Sequence, residues 1–316
     1  MQKKSKQGTH GIKTAAALFA ALSALIGAAF LCAGNFLFNF ALNPKAGFTM
    51  KRFLNGDTDR ESAERVWYRK HRKSVFIKGE DGLRLYGWNL RQAGHRYAIL
   101  CHGYGGEPEE MASYANKFYH MGYSVLTPAA QAHERSDGKY YGMGWKERRH
   151  VVRWAESIAA ADADAEIVLF GLSMGAATVM MAAGETLPDN VKCIIEDCGY
   201  SSVLEEFAVR LSYMLPVLNA PLLFLTDKLC RIRAGYGFSE ASAAEQLKKA
   251  KLPMLFIHGE QDTFVPYAML DLVYDACASK EKEKLSIPDA EHARAAMTNP
   301  KLYWGSIEKF LGRYIR

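Results

Sequence analysis

Five residues near the middle of the chain, Gly171-Leu172-Ser173-Met174-Gly175, restrict the fold more than any other stretch. A serine with a glycine two residues away on either side fits G-x-S-x-G. That pattern marks a sharp strand-to-helix turn that lifts a nucleophilic hydroxyl clear of a sheet. Such a turn strains the serine backbone and crowds its neighbours, so residues without a Cβ are needed on both sides. The flanks suit it: Glu166–Phe170 is a short apolar run of strand type, and Ala176–Met180 opens a helix of small residues. A serine that merely caps a helix between glycines gives the same five letters. The strand–turn–helix context separates the two.

The rest of the chain supplies a sheet for such a turn. Ser74–Lys78 and Leu83–Leu90 flank Glu80-Asp81-Gly82, a hairpin signature. Tyr97–Cys101, Tyr123–Thr127, Ile167–Gly171, Val191–Ile195, Pro253–His258 and Leu285–Ile287 read as further strands. Met111–Met121, Trp145–Ala160, Tyr267–Ala278 and Leu302–Tyr314 read as helices between and after them. Alternation of this kind predicts an α/β fold: a mostly parallel eight-stranded sheet, helices on both faces, and an antiparallel opening edge. About 50 residues between Ile195 and Pro253 carry no clear strand. An insertion of that length predicts a helical cap over about 199–250, although ordinary packing onto the domain would use the same apolar residues.

A nucleophilic serine needs a base, and chain order in this kind of sheet runs serine, acid, histidine. His292 is the only histidine after His258, and it follows a strand-like run. Asp262, just past the strand ending at His258, is the expected acid; it would orient the imidazole and stabilise its charged form. Glu260 and Asp197 are its rivals. Oxyanion donors are expected from the backbone N–H of Met174 and of Tyr104, the latter in the glycine-dense loop His102-Gly103-Tyr104-Gly105-Gly106. His102 precedes Ser173 and repeats the His-Gly pattern of His258-Gly259, which marks it as structural.

These residues together resemble the α/β-hydrolase superfamily, in particular its small membrane-anchored members similar to serine-aminopeptidase-like hydrolases. The resemblance covers roughly residues 70–315 and includes Asp197-Cys198-Gly199-Tyr200-Ser201-Ser202 and Val265-Pro266. It implies cofactor-free, esterase-type hydrolysis of a small-molecule ester through an acyl-enzyme. A serine peptidase acting on amides and a non-catalytic binding protein on the same fold are the alternatives. One stretch departs from the family pattern Asp-x-Arg-x-His-Gly-x-Ser: Ala129-Ala130-Gln131-Ala132-His133-Glu134-Arg135-Ser136 keeps His133 and Ser136 but lacks the Asp, Arg and Gly.

The amino terminus bounds the setting. Lys3, Lys4, Lys6 and Lys13 precede an apolar run from Ala15 to Leu31, which breaks at Gly34-Asn35 and resumes to Leu42. A helix of about 20 residues crosses the hydrocarbon core. Residues 1–42 are therefore expected to form a cytoplasmic stub and a transmembrane anchor, with 43–72 a polar connector, partly helical from Arg60 to Tyr68, and 73–316 the hydrolase domain. The lysines place the amino terminus in the cytoplasm and the enzyme outside a cell membrane that it crosses once. Cleavage near Ala28, Ala29 or Ala33 would instead release a secreted enzyme. The net charge of +6 is spread without a nucleic-acid motif, so no nucleic-acid partner is expected. Six cysteines without a C-x-x-C or Cys/His spacing point to neither a zinc site nor a disulfide framework.

Overall fold

The computed structural model describes residues 4–46 and 61–316. After helix α1 (Lys4–Leu42) and helix α2 (Ala63–His71), the chain builds one mixed sheet. Its strands are β1 (Lys73–Lys78), β2 (Arg84–Leu90), β3 (Arg96–Cys101), β4 (Ser124–Pro128), β5 (Glu166–Leu172), β6 (Val191–Asp197), β7 (Met254–Gly259) and β8 (Lys282–Ile287). They lie in the order β1-β2-β4-β3-β5-β6-β7-β8. β1–β2 and β2–β4 pair antiparallel, and every later pair is parallel. The antiparallel edge is therefore two pairs deep, and the expected α/β-hydrolase fold is present.

The central strands read as unbroken apolar runs because both faces are covered. Alternate residues enter different cores: Ile99, Ile167 and Leu169 join one cluster, Leu100, Val168 and Phe170 the other. Each fully buried side chain of this size contributes about 1.5–3 kcal/mol. Helices α3 (Ala112–His120), α4 (Glu147–Ala161), α5 (Met174–Ala182), α9 (Ala268–Ala276) and α11 (Pro300–Tyr314) cover the faces. Between β6 and β7 the chain runs through α6 (Val203–Met214), α7 (Asn219–Ala234) and the short α8 (Ala243–Leu247); α10 (Ala295–Thr298) follows β8. β8 begins earlier than its apolar residues suggest, because Lys282, Glu283 and Lys284 pair with β7 at the open edge.

α1 does not break at Gly34-Asn35. Residues 13–29 are exposed, whereas Gly34, Phe38 and Phe40–Leu42 are buried against the domain. Gly34 admits the Leu225 side chain of α7, which would lie 2.7 Å from a Cβ at that position. Phe38 meets Tyr140 edge-on, and the Leu42 carbonyl accepts from the Tyr141 amide at 2.9 Å. The helix is thus one continuous rod with an exposed apolar part and a docked end. Of the expected connector, residues 47–60 lie outside the described residues, and with them Arg60 of its helix; Ser62 caps α2 by accepting from the Arg65 amide.

Candidate active site

The turn between β5 and α5 places Ser173 in a conformation few L-residues adopt, φ 57° and ψ −118°. Parallel pairing of Leu172 with Asp197 brings β6 alongside, and the Ser173 amide donates to the Asp197 carbonyl at 2.8 Å. The flanking glycines have a steric cause. A Cβ on Gly175 would lie 2.1 Å from the Cys101 carbonyl oxygen, and one on Gly171 would lie 2.1 Å from that of Gly175. Backbone therefore occupies the space a side chain would need on both sides of the serine.

His292, in the loop after β8, sets its Nε2 2.9 Å from Ser173 Oγ. Its Nδ1 lies 2.7 Å from Asp262 Oδ2, in the loop after β7. An ionised carboxylate only accepts, so Nδ1 carries the proton, and in the neutral ring Nε2 offers its lone pair to the serine hydroxyl. Asp262 is buried yet fully engaged. Its Oδ1 accepts from the Phe264 and Val265 amides, both at 2.9 Å, and His258 Nε2 lies 3.2 Å from Oδ2. Burial pushes this carboxyl up, but the hydrogen bonds and charges of His258 and His292 outweigh it and bring it down to about 2. For His258 burial acts the other way, and the hydrogen bond to Asp262 with the charge of Glu196 holds its pKa above the usual value.

The rival acids stand elsewhere. Glu260 is exposed. Asp197 is buried and accepts from the Tyr303 hydroxyl at 2.6 Å; burial raises it to about 6. His102 is also buried: its Nε2 accepts from the Ala130 amide at 3.1 Å and its Nδ1 faces the Gly103 carbonyl at 2.8 Å, so it ties two loops together. Gly103 runs close past Ser173, with a Cβ position 3.5 Å from the serine Cβ. This brings the loop that carries Tyr104 to the same edge as Met174.

The departing loop has its own means of closure. Ser136 Oγ donates to the Ala129 carbonyl and accepts from the Tyr86 amide, at 2.8 and 2.9 Å. His133 stacks on Tyr141 with ring centroids 4.2 Å apart, and Tyr141 in turn meets Tyr104 edge-on. The Tyr104 hydroxyl then donates to the Ala41 carbonyl of α1 at 2.6 Å. This link from the docked helix to the Tyr104 loop has no signal in the sequence, since the two residues are 63 apart.

Two groups of three metal-capable donors occur among the described residues: Cys198, Asp262 and His292, and the surface set His95, Asp162 and Asp164. In the first, Asp262 and His292 already satisfy each other, and burial beside Asp197 and Asp262 pushes the Cys198 thiol well up.

The sequence profile of the prolyl oligopeptidase family matches residues 133–316, more than half the chain, and the match contains Ser173, Asp262 and His292. The chain belongs to the prolyl oligopeptidase family. It is accordingly a serine hydrolase of the α/β-hydrolase superfamily. Among curated proteins of similar sequence is YqkD of Bacillus subtilis (strain 168), 28% identical over 217 residues, covering 67% of this chain and 70% of YqkD. YfhR of Escherichia coli (strain K12) is 23% identical over 235 residues, 71% of this chain and 74% of that protein. The esterase Pf2001 of Pyrococcus furiosus shares the fold with a TM-score of 0.64 at 23% identity, covering 81% of this chain and 97% of the esterase. The acylaminoacyl peptidase of Pyrococcus horikoshii overlays with a TM-score of 0.58 at 17% identity, over 81% of this chain and 44% of the peptidase.

Proposed function

We propose that this family member hydrolyses a carboxylic ester through an acyl-enzyme, with Ser173 as nucleophile, His292 as base and Asp262 as its orienting acid. The observation that carries the proposal is the hydrogen-bonded series Asp262–His292–Ser173, at 2.7 and 2.9 Å, ending on a strained serine. His292 Nε2 takes the Oγ proton as Oγ bonds to the substrate carbonyl carbon. The amides of Tyr104 and Met174 hold the oxyanion. Collapse breaks the ester C–O bond, and the departing alkoxide leaves as an alcohol with the proton from His292. One water repeats the cycle on the acyl-enzyme and releases the carboxylic acid. Asp262, ionised at neutral pH, stabilises the imidazolium in both halves. No cofactor enters this scheme. In the same proposal residues 199–250 form the cap. α1 is a single-pass anchor, with Lys3, Lys4, Lys6 and Lys13 on the cytoplasmic side and the catalytic domain outside.

Amide hydrolysis is the second reading, favoured by the match to a peptidase family. One experiment addresses both. The full chain in detergent is treated with a fluorophosphonate probe and assayed on p-nitrophenyl esters and aminoacyl p-nitroanilides. Labelling of wild type is expected, with loss in Ser173→Ala and a fall in kcat of about 10⁴-fold or more in both Ser173→Ala and His292→Ala. Turnover that survives in Ser173→Ala overturns the assignment. A higher kcat/KM on anilides than on esters selects the peptidase reading, and a folded chain that neither labels nor turns over leaves a binding protein.

A further inference from the structure

The docked end of α1 and the helices between β6 and β7 enclose an apolar groove. Leu37 and Phe40 of α1, Leu211 and Met214 of α6, Leu223 of α7, and Phe238 form its walls around a narrow space of ≈ 70 Å³. The two polar side chains at this groove each hydrogen-bond a backbone carbonyl. Thr226 Oγ1 donates to the Leu222 carbonyl at 2.7 Å, and the Arg210 guanidinium donates to the Thr263 carbonyl and lies 3.4 Å from Glu206. The rest of the lining is hydrocarbon.

Two lining residues lead to the proposed reacting groups. The Ala41 carbonyl accepts from the Tyr104 hydroxyl, whose residue carries one proposed oxyanion amide. Arg210 lies over the Phe264 ring at 4.6 Å, and that ring is centred 4.8 Å from the His292 imidazole. The groove wall is thus joined to His292 through Arg210 and Phe264.

The outer rim, Tyr213 and Phe224 next in sequence to the lining residues Met214 and Leu223 with Val217 between them, is apolar and exposed. Tyr213 is 73% exposed, Val217 88% and Phe224 63%. Exposed apolar patches of this kind mark interaction surfaces. Their position says which one. Phe224 adjoins Leu225, which packs on Gly34, and residues 13–29 of α1 run from there fully exposed and apolar. Basic side chains border the same place: Lys228 Nζ sits 5.0 Å over the Phe224 ring, and Arg233 donates to Asn35 Oδ1 at 2.7 Å. Aromatic and basic side chains beside an apolar helix are the composition of a membrane–water boundary.

We propose that the rim formed by Tyr213, Val217 and Phe224 lies in the bilayer interface, and that the groove takes the acyl chain of a membrane lipid ester drawn from the bilayer. This rests on the ester-hydrolase reading and on α1 as an anchor. Hydrolysis would consume one water and release a long-chain carboxylic acid and the lipid's alcohol. The test uses the full chain in vesicles of phosphatidylcholine and phosphatidylglycerol, with monooleoylglycerol in the bilayer and p-nitrophenyl butyrate in the water. Wild type is expected to favour the oleoyl ester. Phe224→Glu and Val217→Glu should each lower oleoyl turnover by about tenfold, while butyrate turnover and fluorophosphonate labelling stay as in wild type. Met214→Trp, which narrows the groove, should shift the preference towards shorter acyl chains. Loss of both activities alike in the rim variants, or of neither, overturns the bilayer entry. A wild type that labels yet favours butyrate overturns the lipid substrate and leaves the hydrolase reading standing. A wild type that does not label overturns both.

Discussion

At the scale of single residues, the sequence discloses those parts of the site that obey local backbone rules. Gly171 and Gly175 were legible because the serine turn leaves no room for a Cβ, and the distances of 2.1 Å to backbone oxygen give the reason. Neither neighbour is a side chain that can swing aside. Gly175→Ala should therefore destabilise the domain by about 1–3 kcal/mol. Gly305 in α11 is the control, since nothing lies within 4 Å of its Cβ position. Gly305→Ala should stabilise by about 0.5–1 kcal/mol through helix propensity. Thermal unfolding of the two variants beside wild type checks both signs. The second histidine on Asp262 was not legible. His258 lies in a buried strand, and only the folded loop after β7 turns the carboxylate back towards it. The same holds for Tyr104, whose ring and hydroxyl meet partners far off in sequence.

At the scale of elements, strands and helices followed from periodicity, and the ends that did not follow are edge features. β8 starts with three charged residues, and only its pairing with β7 makes them strand. α1 is the larger case. A hydropathy pattern distinguishes apolar from polar, but lipid and protein interior are both apolar, so it cannot say where the exposed part ends and the docked part begins. Packing does: Phe38 is fully buried while Leu22 is 57% exposed. Phe38→Ala should accordingly cost the catalytic domain about 3–5 kcal/mol, and Leu22→Ala should leave its unfolding midpoint unchanged in detergent. A helix that served only as an anchor would give no shift for either. The exposed Phe224 and Val217 carry the opposite lesson, since an insertion rich in apolar residues reads the same whether a side chain faces the core or stays exposed.

At the scale of the whole molecule, the buried carboxyl groups pull stability in opposite directions with pH. Asp262 is held at about 2, below its ordinary 3.8. Its contribution is present above pH 3.8 and is lost as pH falls through 2. Glu206 and Glu196 are the reverse. Burial lifts Glu206 to about 8, against the pull of Arg210, and burial lifts Glu196 to about 8, against His258. The native state keeps these protons where the unfolded chain has released them. Their stabilising share is therefore complete below about pH 4.5 and is lost as pH rises through 8. Glu206→Gln replaces the protonated form with a neutral isostere that cannot ionise. At pH 5 the variant should unfold near the wild-type midpoint. At pH 9 wild type carries a charge in an almost buried site and the variant does not, so the variant should then be the more stable protein. Unfolding midpoints of both proteins at pH 5, 7 and 9 give the comparison; a difference that stays constant with pH would show that Arg210 keeps Glu206 ionised throughout.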